Sequence, residues 1–228
     1  MSILTEDQII NQVNKITKKN SKKTRSQIAK LSSRKGKIGE RNIVDFLKDV
    51  TKLSWVRVFS SGAFTGGSNR DRAKYLAEDQ LSASISDIFP PDQLLFKFLI
   101  ESKFYKNFSF NKITKKKEFN KNLEKWTKEL LYDCITYITF SKSGKTIVPI
   151  LWIKINNEGE WALINRGYYN KLFNTQLKFN DCCPYYLEHS FENIDELKHI
   201  GFDDKWIFCK AREFISNNKD LLFKQIEI

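Results

Sequence analysis

The stretch "SDIFPPDQLLFKFLIESK" (Ser86–Lys103) decides how the chain is read. Two apolar segments, "SISDIF" and "LLFKFLIES", flank a Pro90–Pro91–Asp92 turn, which predicts a pair of strands with the second beginning at Leu94. That second strand ends on Glu101 and Lys103, with only Ser102 between them. Side chains two apart in a strand share a face, so the acid and the base project together. Asp87 stands among the apolar Ile85 and Ile88, fourteen residues before Glu101. Antiparallel pairing across the turn brings Asp87 and Glu101 to adjacent strand positions. Two carboxylates held close repel unless a cation lies between them, and a small oxygen-only donor set suits Mg²⁺ completed by water and a substrate phosphate. Lys103 beside them can orient or activate a water, or stabilise charge developing on phosphate.

Upstream, "ERNIVDFLKDV" (Glu40–Val50) reads as a helix entered through Gly36 and Gly39. Glu40 lies three, four and seven residues before Ile43, Val44 and Leu47, so it shares their buried face. A first-turn acid helped by the helix dipole is one reading, and a buried acid held by a partner is the other. "SWVRVFS" is a predicted strand, "SGAFTGGSNRDR" a loop, and a short helix is expected near Lys74–Gln80. Downstream, a basic helix is expected over Lys115–Tyr137, and "TIVPILWIKI" with "EWALIN" as a hairpin across "NNEG". After Arg166 the pattern turns helical, with Asn193 and Glu196 as a capping signal and Gly201 as the stop.

The net charge is +12, and Met1–Lys37 holds ten Lys/Arg against two acids, so +8 of that total lies in one N-terminal arm. Such a surplus favours a polyanion partner through attraction and counterion release. Thr5 with Gln8 reads as a capping box opening an amphipathic helix at the start of the arm. Lys35, Lys37, Arg41, Arg57, Arg70 and Arg72 are the candidate contacts to such a polyanion's phosphates. The four cysteines (Cys134, Cys182, Cys183, Cys209) form neither a disulfide framework nor the paired C-x-x-C spacing of a zinc module. The N-terminus lacks a signal-peptide apolar region and no run reaches membrane-spanning length, so an intracellular, cytoplasmic protein that is not secreted is expected. "SKSGKT" (Ser141–Thr146) imitates the end of a P-loop, but Thr139 replaces the leading glycine and a strand follows instead of the helix that would hold phosphate.

Taken as a set, Glu40, Asp87, Glu101 and Lys103 resemble the PD-(D/E)XK nuclease signature, with Ser86 in place of its usual proline. "GERNIVDFLKD", "VRVFSSG", "SDIF" and "LIESK" are similar to the corresponding segments of archaeal Holliday-junction resolvases of the Hjc type, including the four-residue step from Arg57 to Ser61. The likeness spans Gly36 to Ile164. It implies an α/β fold, restriction-endonuclease-like, with a mixed central β-sheet flanked by helices. It also implies a Mg²⁺-dependent phosphodiesterase, in which Mn²⁺ can substitute, working as a homodimer on a four-way junction. Glu40, Asp87 and Glu101 would be the metal-side carboxylates, Lys103 the catalytic lysine, and Ser61 an active-site loop residue.

Three regions follow: a basic helical N-terminal arm (1–37), a nuclease core (38–166) and a helical C-terminal extension (167–228). The arm, the extension and an insertion at 63–82 depart from the resolvase pattern, and they fall where substrate choice is set. Two rivals therefore stand beside a junction resolvase: a restriction or repair endonuclease on duplex DNA, and a non-catalytic DNA-binding module on a nuclease fold. Three clustered carboxylates argue against the last, because a pure phosphate binder gains nothing from them. Apolar surface for a dimer is expected either from the late strands near Pro149–Ile153 or from the aromatic-rich tail.

Overall fold

The computed structural model describes residues 24–58, 72–77, 80–81, 84–106 and 108–226. Ser61, Arg70, most of the 63–82 insertion and the Thr5–Gln8 capping box lie outside the described residues. The chain divides into two units, Met1–Lys35 and Gly36–Ile228.

Helix α1 runs over Arg25–Thr51, so it begins well before the expected entry at Gly36 and Gly39. A reciprocal cap starts it: the Gln27 amide donates to Thr24 Oγ1 at 3.3 Å and the Thr24 amide to Gln27 Oε1 at 3.0 Å. A helical glycine costs only about 1 kcal/mol, too little to stop a capped helix. A methyl at Gly39 would stand 3.9 Å from the Phe104 ring, an ordinary contact, so α1 passes close over β3 here without requiring the glycine. Ile43, Val44 and Leu47 are buried as their spacing requires. The helix ends where Lys52 turns left-handed (φ 59°), and the Trp55 indole donates to Thr51 Oγ1 at 2.9 Å.

Seven strands among the described residues form one sheet: β1 (Val56–Arg57), β2 (Ile88–Phe89), β3 (Lys97–Tyr105), β4 (Ile147–Ile155), β5 (Gly159–Asn165), β6 (Tyr185–Glu188) and β7 (Lys205–Lys210). Their order is β1-β2-β3-β4-β5-β7-β6. Only β3 and β4 pair in parallel, so the sheet is mixed. The β2–β3 and β4–β5 hairpins form as expected, with Ile88 opposite Ile100 and Ile155 opposite Gly159. The strand expected from Leu94 starts instead at Lys97. Leu94 and Leu95 are taken by the C-terminal segment, through a bridge between Leu94 and Gln225 and a hydrogen bond donated by the Leu95 amide to the Lys224 carbonyl.

Helix α2 spans Lys121–Phe140, not Lys115–Tyr137, because Asn120 caps it, accepting from the amides of Asn122 and Leu123. Lys112–Lys116 before it form a single π-helical turn closed by a left-handed Lys117 (φ 55°). The reading of everything after Arg166 as helical needs correction. Helices α3 (Arg166–Phe173), α4 (Ala211–Asn217) and α5 (Lys219–Leu222) and a 3₁₀ helix (Glu192–Ile200) are present, but β6 and β7 extend the central sheet. The 3₁₀ helix is entered at Phe191 with no side-chain cap, and Gly201 (φ 113°) ends it as read.

Alternation fixes the two faces of the sheet. Phe46 of α1 meets Trp152 edge-on at 5.9 Å, and Trp152 is opposite Ser102, so α1 covers the Ser102 and Phe104 face. Trp126 of α2 meets Tyr105 at 5.3 Å, so α2 covers the Glu101, Lys103 and Tyr105 face. Residues 149–153 are buried within their own chain at the sheet centre, which removes Pro149–Ile153 as a dimer surface. Ser141–Thr146 lead straight into β4, as expected for a false P-loop. No helix among the described residues is long and apolar enough to cross a membrane.

Candidate active site

Hydrogen bonds to β3 and to the neighbouring strands hold Ser86 and Asp87 in place. The Asp87 amide donates to the Ile100 carbonyl at 3.0 Å, and the Val58 amide to the Asp87 carbonyl at 2.9 Å. The Ser102 amide donates to Asp87 Oδ2 at 2.8 Å. Ser86, standing where the resembled signature has proline, is fully buried. Its Oγ accepts from the Ile100 amide at 3.0 Å and donates to the Ile88 carbonyl at 2.9 Å. A small hydroxyl that satisfies both strands can occupy this buried joint without stranding a polar group.

Glu101 and Lys103 share the α2 face of β3, as the two-residue period requires, and are ion-paired. The second partner of Lys103 is Glu129 on α2, with Oε2 at 3.0 Å from Nζ. Glu129 and Asp133 are one helical turn apart and bring two further carboxylates to this face. Burial first, then the charge of Asp87, pushes the Glu101 carboxyl up to about 7 against the pull of Lys103. Burial, then the charges of Glu101 and Asp87, holds Asp133 well above the usual carboxylate range. Burial opposes the charge on Lys103, but Glu101 and Glu129 outweigh it and raise its ammonium above the ordinary lysine range. Held between these two carboxylates, Lys103 is kept as a cation and is suited to donate to an anionic oxygen.

Glu40 belongs to the other side of the sheet. Its Oε2 lies 2.8 Å from Arg57 Nε, and both side chains are largely shielded from solvent. Burial and then the charge of Asp87 raise its carboxyl, against the pull of Arg57, Lys37 and Arg41. Asp87 thus influences both Glu40 and Glu101, and it is the point at which the two halves meet. Lys35, Lys37 and Arg41 are exposed on α1, and Arg72 is exposed in a short 3₁₀ turn.

Among the described residues no three acidic, imidazole or thiol groups converge at metal-holding spacing. The donors brought together are Asp87 and Glu101, oxygen ligands with mutual repulsion a cation would relieve. That is a donor set for a hard ion such as Mg²⁺, which needs only one or two carboxylates when water and phosphate fill the remainder.

Sequence reasoning missed Glu129 and Asp133. The available signal was their position in "EKWTKELLYDCITY", where each lies beside the buried stripe of Trp126, Leu130, Cys134 and Tyr137.

A family model described as "Phage putative PDDEXK endonuclease" matches residues 31–200, most of the chain. No curated protein and no solved structure matches it. An acid midway along α1, an Asp entering β2, and Glu-x-Lys on the neighbouring strand of a mixed sheet agree with that match, and the chain belongs to the phage PDDEXK endonuclease family.

Proposed function

We propose that this nuclease is a Mg²⁺-dependent endodeoxyribonuclease that cuts branched DNA, acting as a homodimeric Holliday-junction resolvase. The observation that carries the chemistry is the Asp87–Ser102 hydrogen bond, which sets an acid beside a Glu-x-Lys strand end whose lysine is gripped by Glu101 and Glu129. Asp87 and Glu101 would hold the metal ion. Bound there, it supplies Lewis-acid stabilisation of the phosphate and a water of lowered pKa. Lys103, clamped between Glu101 and Glu129, donates to a non-bridging phosphate oxygen as charge accumulates. Glu40, anchored by Arg57, adds negative charge on the α1 side of Asp87 and so favours a cation in the site.

Junction preference is supported by the likeness of Gly36–Ile164 to the resolvase segments. The homodimer follows from substrate symmetry, since paired incisions by one site per chain call for two chains about a two-fold axis. The basic arm, Met1–Lys37, would supply additional phosphate contacts. The test is one gel comparing a labelled four-way junction with a linear duplex of the same arms, with and without Mg²⁺. Symmetric, metal-dependent nicking of the junction in the presence of duplex competitor is expected. Cleavage of linear duplex at one fixed sequence, with junctions ignored, would replace the resolvase by a restriction-type enzyme.

A further inference from the structure

The segment joining β3 to α2 is anchored inward by aromatics and presents lysines outward. Ile113 is fully buried beneath the π-helical turn. Phe110 meets Trp161 at 4.9 Å, Phe208 at 6.2 Å and Tyr185 at 6.2 Å. Phe108 stacks on Trp126 at 6.0 Å, and Phe119 on His189 at 4.7 Å. Such contacts fix the turn to the sheet. Lys112, Lys115, Lys116, Lys117 and Lys121 are all exposed, and among the described residues none of the five forms an ion pair. Five lysines against the one exposed acid of the segment, Glu118, leave a positive surplus on a rigid platform that adds nothing to packing and suits an anion.

Strand register shows where that platform lies relative to the catalytic lysine. Glu101, Leu151, Leu163, Phe208 and Tyr185 are opposite one another in successive strands and share one face. Phe110 packs on Phe208 and Tyr185, so the π-helical turn covers the same face as Glu101 and Lys103, toward β6. Four strand spacings separate β3 from β6, about 19 Å. Helix α2 bridges the gap: Lys121, Lys125 and Glu129 follow at four-residue steps, about 12 Å along its axis. Lys125 Nζ lies 3.9 Å from Glu129, whose other oxygen holds Lys103. A file of cations thus leads to the candidate scissile position.

We propose that Lys112, Lys115, Lys116, Lys117 and Lys121 form a phosphate-binding ledge that holds one strand of the DNA substrate on the β6 side of the active site. At about 3.4 Å of axial rise per base pair, the distance from β6 to β3 is about half a duplex turn, over which about three phosphates of one strand face the ledge. The ledge rests on the nuclease reading, and it adds contacts to those offered by the arm and α1.

The test uses the full-length protein in metal-free buffer, with a fluorescent four-way junction and a linear duplex as probes. Replacing Lys112, Lys115, Lys116 and Lys121 together by Gln should weaken binding at least tenfold at 0.1 M salt. The slope of log affinity against log salt should flatten by about 3, given roughly 0.9 per phosphate contact. In Mg²⁺, the loss should appear mainly in KM. Acetylation mapping of the unsubstituted protein, which needs no variant to fold, should find the five lysines protected by DNA while Lys219 and Lys224 stay reactive. Unchanged affinity and slope, or ledge lysines acetylated equally with and without DNA, would overturn the ledge. Binding and protection without cleavage by any metal-loaded preparation would instead overturn the nuclease reading and leave the ledge standing.

Discussion

The Ser102 amide and the Asp87 carboxylate are bonded at 2.8 Å across the β2–β3 pairing, so the central residue of the Glu-Ser-Lys run fixes the acid from the neighbouring strand. Removing that acid should dissect chemistry from binding. Asp87→Ala is expected to lower cleavage by about a hundredfold or more while DNA affinity stays level or rises, because negative charge near phosphate is lost. Single-turnover cleavage and binding anisotropy on the same preparation check this. Normal cleavage would remove Asp87 from the site.

Glu129 predicts a smaller and dependent effect. Its hold on Lys103 at 3.0 Å orients a cation that Glu101 already grips, so Glu129→Gln should lower kcat about tenfold with KM little changed. In Lys103→Ala the same change should cost almost nothing further, since its target is gone. Additive losses in this double-mutant cycle would show that Glu129 acts elsewhere.

Stability should vary with pH in the direction opposite to that of a salt-bridged carboxylate. Glu101 releases its proton near 7 in the folded protein and near 4.5 when unfolded, so the fold retains a proton that the unfolded chain loses. Stability is therefore lost as pH rises through that window, by on the order of 2–3 kcal/mol. The raised Lys103 contributes stability below the ordinary lysine range and leaves this window undisturbed. Denaturant melts of the metal-free protein at pH 5 and pH 7.5 should show the decline, and Glu101→Gln should reduce it, leaving the share that belongs to Asp133 and Glu40. Mg²⁺ should restore stability at the higher pH, because it binds the ionised site. A flat wild-type profile would mean that the carboxyl is not held in a repulsive environment.

Ser86→Ala should destabilise the joint between β2 and β3 by about 1–2 kcal/mol, because the hydroxyl that accepts from the Ile100 amide is lost in a buried place. A thermal melt about 3–6 °C lower is the expected reading. An unchanged melt would show that Ile100 and Ile88 satisfy each other without Ser86.

The legible part of the fold was the part with a clean period. Ile88 opposite Ile100, and Glu101 with Lys103 on one face, follow from two-residue alternation and a Pro-Pro turn. The Ile43, Val44 and Leu47 stripe likewise placed Glu40 on a buried face. Competing local signals hid the rest. "KWIFCK" (Lys205–Lys210) buries four consecutive apolar residues, a run that suits a two-sided strand or a core helix equally, and it lay inside a helical context. The cap at Asn120 was masked by the lysines around it, which mimic a helix that has already begun. Glu129 and Asp133 gave no chemical signal alone, because their meaning depends on a strand more than twenty residues earlier in the chain. Glu40 could be assigned a face but not a partner, since its pairing with Arg57 crosses from α1 to β1.

The unequal lengths of the strands have a consequence for how the enzyme fails. β3 is nine residues long and lies inside the sheet, whereas β1 and β2 are two residues each and form its margin. Glu101 and Lys103 ride on the durable member, and Asp87 sits at the edge of the fragile one. Local opening of a two-residue margin breaks far fewer bonds than global unfolding. On warming, the site is therefore dismantled from Asp87 outward while the sheet persists, and inactivation precedes melting. Hydrogen exchange would record the order directly, with the Val58 and Asp87 amides exchanging well before those of β3 and β4.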